Sequence, residues 1–180
     1  MLLKRSFVEK SVEKLVENSG KTPANQEQFP LESLHVGQEY RSEAFAFDGD
    51  KIQQFAEISG DRNPIHLDPD FARRTIYRGV IAHGQLVAAI AAGLAFSTGI
   101  MGKNILALES THEQFFQPVR PGDQIYGTTR IDSVDPSAAR RCGRVVWVTR
   151  IFKVRENGDS VLAMEARMST LVFKKAYMPK

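Results

Sequence analysis

The spacing of apolar residues in the first half of the chain is helical. Between residues 49 and 59 the apolar positions return every three or four residues, which predicts an amphipathic helix that Ser59-Gly60 ends. From Gly84 to Ser97 the chain is apolar on almost every side, with Ala and Gly at many positions. This pattern predicts a helix that is buried against a sheet rather than one that lies on the surface.

In the second half of the chain the period changes from helical to that of strands. The predicted strands cover Ile105–Phe116, Gln124–Val134, Arg144–Arg155 and Val161–Lys174. An earlier extended segment, Glu39–Phe47, predicts one more strand. Pro121-Gly122-Asp123 predicts a turn, and Asn157-Gly158 predicts a hairpin. One strand, then helices, then at least four strands in a meander is the order of an α+β fold whose sheet wraps around the apolar helix.

The N-terminal region has a pattern of its own. Apolar residues between positions 7 and 16 recur at near-helical spacing and predict a short amphipathic helix, which Asn18-Ser19-Gly20 should end. Residues 21–30 are rich in Pro, Asn, Gln and Thr and are typical of a linker. We therefore expect an N-terminal helix and linker over residues 1–30 and one compact domain over residues 31–180.

Composition and charge narrow the classes of protein. The 24 basic residues are scattered among 21 acidic ones, so no basic stripe of the kind that binds nucleic acid is present. Cys142 is the only cysteine, which excludes an intramolecular disulfide and a cysteine-rich zinc site. The longest apolar run, residues 86–96, is too short to cross a bilayer as a helix. We expect a cytoplasmic protein that does not bind a membrane.

Asp61 and His66 are the main candidates for chemistry. They lie five residues apart between two predicted helices, and Pro64 disfavours helix at Asn63, so a stiff turn can aim both side chains at one point. Hydration of an enoyl thioester needs a group that takes a proton from water, and a carboxylate with an imidazole suffices. It also needs a donor for the carbonyl oxygen, which the backbone N–H of Gly84 at the start of the apolar helix could supply.

The spacing of these residues alone leaves two other interpretations open. Asp61 and Asn63 are also common turn residues, and His66 can be an ordinary hydrogen-bonded side chain. A divalent metal site would use His66, Asp68, Asp70 and His83 as its ligands. However, Asp68 and Asp70 are explained more simply by the cap and first turn of a short helix, and His83 by a hydrogen bond that orients the loop. We therefore expect no metal or other cofactor.

The segments around these candidates resemble a known family. Residues 55–68, Phe-Ala-Glu-Ile-Ser-Gly-Asp-Arg-Asn-Pro-Ile-His-Leu-Asp, followed by Ile-Ala-His-Gly at 81–84, are similar to the hydratase motif of the MaoC-like, (R)-specific enoyl-CoA hydratases. Phe-Phe-Gln-Pro-Val-Arg-Pro-Gly-Asp at 115–123 resembles the strand and turn that follow the central helix in that family. The similarity spans roughly residues 34 to 173.

This resemblance implies a hot-dog fold, in which an antiparallel sheet wraps around a central hydrophobic helix. It implies reversible hydration of trans-2-enoyl-CoA to (R)-3-hydroxyacyl-CoA, or dehydration of a 3-hydroxyacyl thioester. Asp61 and His66 would activate the water, and the N–H of Gly84 would bind the thioester oxygen. The substrate would be a thioester of CoA or of acyl carrier protein, and the protein a homodimer or higher even oligomer. Ala92 departs from members that carry Ser there, which bears on the tunnel for the acyl chain.

Two other functions are compatible with a hot-dog fold. One is an acyl thioesterase, in which a carboxylate directs water at the carbonyl and free thiol is released. The other is a non-catalytic subunit that binds an acyl thioester, with the N-terminal helix as its docking element. Loss of the enoyl group from crotonyl-CoA would distinguish a hydratase from both.

Overall fold

The computed structural model describes residues 29–179, so the predicted N-terminal helix and most of the linker lie outside the described residues. The helices are α1 (Asp50–Ser59), α2 (Pro64–Leu67), α3 (Pro69–Arg73) and α4 (Gly84–Ser97). The strands are β1 (Glu39–Arg41), β2 (Phe45–Ala46), β3 (Ile105–Phe115), β4 (Gln124–Asp135), β5 (Cys142–Val154) and β6 (Ser160–Phe173). None of the helices in this part of the chain is long and apolar enough to cross a membrane.

Local signals predicted most of these boundaries. The central helix α4 begins and ends where the apolar pattern begins and ends. Helix α1 ends as predicted at Gly60, which adopts a left-handed φ of 76° that favours glycine, and whose N–H donates to the carbonyl of Ala56 at 3.0 Å. The single strand predicted over residues 39–47 is instead divided into β1 and β2, which both pair with β4.

The six strands form one antiparallel sheet in the order β1-β4-β5-β6-β3, with β2 beside β4. The predicted meander is confirmed for β4, β5 and β6, including the hairpin turn with Gly158 at a φ of 86°. It is wrong for β3, which pairs with β6 at the far edge of the sheet. The side of β4 that a meander would have offered to β3 is occupied by β1 and β2. Residues 116–123, which contain two prolines, make the crossing instead of a tight turn.

The apolar face of α4 packs against this sheet and forms the centre of the core. Val87, Ala91 and Leu94 of the helix belong to one buried cluster with residues of β4, β5 and β6. At Gly127 on β4, an added Cβ would lie 3.3 Å from Cδ1 of Ile151 and 3.5 Å from Cβ of Leu94. Glycine therefore lets the helix approach the strand closely around Leu94.

The burial of α4 is one-sided, although its sequence is apolar almost all round. On the face away from the sheet, Gln85, Ala89, Gly93 and Phe96 are exposed within the described chain. The sheet thus covers the side of the helix that carries its largest aliphatic residues.

Candidate active site

The loop between α1 and α2 is held by its own polar side chains. Oδ1 of Asp61 accepts a hydrogen bond from the N–H of Asn63 at 3.1 Å. The side chain of Asn63 caps α2 by accepting from the N–H of Ile65 at 3.1 Å, and Pro64 occupies the first helical position. Local hydrogen bonds therefore hold the loop, and Asp61 uses one carboxylate oxygen for the loop and leaves the other for further contacts.

His66 lies in α2 and its tautomer is set by the main chain. Nδ1 is 2.8 Å from the carbonyl oxygen of Ile81. Because a carbonyl only accepts, Nδ1 carries the proton, and the lone pair is on Nε2. Burial lowers the pKa of His66 below its ordinary value, and the bond to Ile81 and the charge of Asp61 only partly offset this effect. A neutral imidazole with a free acceptor nitrogen is thus favoured near pH 7.

His83 precedes α4 and joins the loop to that helix. Its side chain is buried, with 1% exposure, and Nε2 lies 3.0 Å from the backbone carbonyl oxygen of Asp61. Its ring packs against that of His66, with centroids 3.9 Å apart and planes tilted by 32°. A hydrogen bond by which His83 orients the loop was expected from the sequence, and it is present. Its acceptor is the backbone carbonyl of Asp61, a candidate catalytic residue.

Gly84 is the first residue of α4, and the side chain of Phe115 explains why it is glycine. The N–H of the first helical residue has no acceptor inside its own helix, and it lies at the positive end of the helix dipole. A Cβ added at this position would be 3.2 Å from Cζ of Phe115. A larger residue would therefore displace the ring, whereas glycine leaves the N–H accessible to an anionic or carbonyl oxygen.

These groups meet at one cavity of about 250 Å³. It is lined by His66, Tyr77, Ile81, Ala82, Gly84, Val87, Phe115, Phe116, Gln117, Pro118 and Val119. Asp61 is not a lining residue, but its carboxylate lies within 4.8 Å of a ring nitrogen of His66 and of one of His83. The structure therefore places Gly84 and His66 in the wall of one cavity and the carboxylate of Asp61 beside the ring of His66.

The metal site considered from the sequence does not assemble. The carboxylate of Asp68 accepts from the N–H groups of Asp70 and Phe71 as the cap of α3, and Asp70 pairs with Arg73. Among the described residues, the side chains that converge are instead those of Asp61, His66 and His83.

Sequence reasoning missed two features of the site. The carbonyl of Ile81 and the ring of Phe115 are both within the segments that resemble the hydratase family, but neither residue type signals a role by itself. Ala92, the position that departs from some members of the family, lies further along α4 and is not among the lining residues. Its departure therefore does not alter the wall of this cavity.

Comparisons with known proteins identify the family of the chain. Residues 31–149, more than half of the chain, match the family described as MaoC like domain. The (R)-specific enoyl-CoA hydratase of Aeromonas caviae is 34% identical over 103 residues, which are 57% of this chain and 75% of the relative. The mitochondrial 3-hydroxyacyl-(acyl-carrier-protein) dehydratase of Arabidopsis thaliana is 35% identical over 94 residues, 52% of this chain and 54% of the relative.

A solved structure gives the same result for the fold. The R-hydratase PhaJ1 of Pseudomonas aeruginosa, in its unliganded form, superposes with a TM-score of 0.66 and 28% sequence identity. The match covers 82% of this chain and 88% of that chain. It confirms the predicted hot-dog fold, with its antiparallel sheet around a central helix. The chain belongs to the MaoC-like family of hydratases and dehydratases.

Proposed function

We propose that this protein catalyses the reversible hydration of a trans-2-enoyl-CoA to the (R)-3-hydroxyacyl-CoA, and equally the dehydration of the 3-hydroxyacyl thioester. The observation that carries the proposal is the shared cavity of His66 and Gly84, with the carboxylate of Asp61 within 4.8 Å of a ring nitrogen of His66. It combines a proton acceptor, a carboxylate and a backbone N–H at a helix start, which are the groups that the reaction needs.

In the proposed mechanism, a water molecule lies between Asp61 and His66, and the free carboxylate oxygen of Asp61 accepts a hydrogen bond from this water and activates it together with His66. Nε2 of His66 takes a proton from this water as its oxygen bonds to C3 of the enoyl group. The negative charge that spreads onto the thioester oxygen is stabilised by the N–H of Gly84 and the dipole of α4. The proton taken from water is returned to C2 as the enolate collapses, so that one water is added and no net proton is consumed.

We further propose that the protein is a homodimer, formed through the edge strand β3. Within the described chain β3 pairs with β6 on one side only, and along most of its length its residues are exposed. Leu106 and Leu108 are 48% and 60% exposed on this strand. A long edge strand with exposed apolar side chains is a favourable site for pairing with a second copy.

The roles of the two catalytic candidates can be tested by substitution. Asp61→Asn and His66→Gln are each expected to lower the hydration rate by ~10² to 10⁴-fold, because positioned acid and base groups supply that factor. The measurement is the loss of enoyl absorbance from crotonyl-CoA. Asp70→Asn and His35→Gln are matched controls at exposed positions and should leave the rate unchanged.

Near-normal rates in both Asp61→Asn and His66→Gln would contradict the proposed mechanism. A parallel assay for free thiol separates the reactions, because a thioesterase releases thiol and a hydratase does not. Release of free thiol without hydration of the double bond would show that the protein is a thioesterase. Binding of crotonyl-CoA without any turnover would assign a non-catalytic binding subunit.

Two substitutions at Gly84 separate the backbone N–H from the steric role of glycine. Gly84→Ala and Gly84→Pro both place a Cβ against Phe115, but only proline removes the N–H. Proline is tolerated at the first helical position, and His83 already has the extended conformation that proline requires before it, with φ −58° and ψ 137°. We expect kcat for Gly84→Pro to be ~10² to 10³-fold below that for Gly84→Ala. Equal rates would exclude this N–H as the oxyanion donor.

The lowered pKa of His66 predicts the acid limb of the pH profile. His66 must be neutral to accept a proton, and a lowered pKa keeps it neutral at more acidic pH. For hydration, kcat/KM should therefore hold down to pH values below the ordinary histidine pKa of ~6.5 before it falls. If the acid limb had its midpoint above pH ~6.5 and disappeared in His66→Gln, this result would contradict a pKa of His66 that is lowered by burial.

The proposed dimer predicts an effect of charge on β3. Leu108→Lys should convert the dimer to a monomer, because a charge would replace an apolar side chain at the pairing edge. Ile76→Lys is the matched control, since Ile76 is 89% exposed and lies outside the sheet. Sedimentation equilibrium gives the mass of each variant. A monomeric wild type, or a Leu108→Lys variant that remains a dimer, would contradict the proposal.

A further inference from the structure

Among the described residues, His83 is the one buried histidine, and it contacts both Asp61 and His66. Its Nε2 lies against the backbone carbonyl of Asp61, 22 residues earlier in the chain, and its ring packs against His66. On the other side the ring of Phe55 lies 5.0 Å away, centroid to centroid. Directly after His83 the chain enters α4 at Gly84.

We propose that His83 is a positioning residue, which holds the main chain of Asp61 through its Nε2–H and supports the ring of His66 from behind. This inference rests on the proposed function, because the groups that it positions are those of the proposed hydration. His83 itself touches neither the water nor the acyl group in this proposal. It acts through Asp61 and His66.

The hydrogen bonds of His83 define which nitrogen carries its proton. Since the carbonyl of Asp61 can only accept, the proton is on Nε2 and Nδ1 has a lone pair. Nδ1 is buried and has no hydrogen-bond partner within the described residues. A proton on Nδ1 would be a buried donor without an acceptor, which is costly, so the structure favours the tautomer that holds Asp61.

The position of His83 explains why this contact matters for rate. The water site depends on a loop that follows α1, and the oxyanion site depends on the first turn of α4. His83 connects the two, because its side chain bonds to Asp61 and its backbone precedes Gly84 directly. Reactions that need aligned groups are sensitive to small displacements, and an error of ~1 Å can lower the rate by ~10²-fold.

Two variants separate the donor of His83 from its ring. His83→Phe keeps a flat ring against His66 but removes the hydrogen bond to Asp61, whereas His83→Gln keeps a donor at a similar reach and removes the ring. We expect His83→Phe to lower kcat for crotonyl-CoA by ~10²-fold with little change in KM. We expect His83→Gln to recover ~10-fold of that loss, because the hydrogen bond to Asp61 is restored.

If the role of His83 were purely structural, both variants would lower the melting temperature, but kcat would not differ between His83→Phe and His83→Gln. The ¹⁵N chemical shifts of His83 in the intact wild-type protein give a second measurement, which applies even if both variants fail to fold. They should show a proton on Nε2 and none on Nδ1. A proton on Nδ1, or wild-type kcat in both variants, would overturn the positioning role. A folded wild type that leaves crotonyl-CoA unchanged would instead overturn the proposed function, and the tautomer of His83 would still be measurable.

Discussion

The packing of α4 against the sheet is the constraint on which the site depends. The helix is held at one distance from β4 because Gly127 leaves no side chain between strand and helix. Its first residue, Gly84, lines the cavity. The side chains of the site are arranged around this point, so that core packing determines where chemistry can occur.

Backbone carbonyls determine the proton positions of both histidines at the site. The carbonyl of Ile81 places the proton of His66 on Nδ1, and the carbonyl of Asp61 places that of His83 on Nε2. Carbonyl acceptors do not titrate, so these assignments do not change with the protonation of a neighbouring carboxylate. His66, which lines the cavity, therefore has its lone pair on Nε2, whereas the lone pair of His83 is on the buried Nδ1.

The elements of the fold were predictable where the signal is local. Gly60 stops α1 and Asp68 caps α3 through contacts of two to four residues, and such contacts can be inferred from the order of residue types. The neighbour of β3 was not predictable, because alternation of apolar residues identifies the face of a strand and not its partner. The division of the segment 39–47 into β1 and β2 likewise follows from pairing with β4 rather than from local preference.

The same distinction applies to the site. Asp61 and His66 could be inferred because their loop is short and its motif is specific, and Gly84 because it begins an apolar helix. The acceptor of the His83 hydrogen bond, which is the carbonyl of Asp61, and the ring of Phe115 over Gly84 could not, since each contact joins segments that are distant in the sequence. The alternative metal set failed for a related reason. Sequence spacing does not distinguish a carboxylate that turns back to cap its own helix from one that points into a cavity.

The extent of the cavity along α4 also shows that Ala92 lies outside the cavity wall. Gly84 and Val87 are the residues of the helix that line it, so the wall follows α4 from residue 84 to residue 87, a rise of about 4.5 Å. Ala92 is five residues beyond Val87, more than one further helical turn. The absence of a hydroxyl there leaves the cavity wall unchanged, because the groups that face this space come from the first turn of the helix. The reacting part of an acyl thioester would therefore meet the same polar groups whether this position were Ala or Ser.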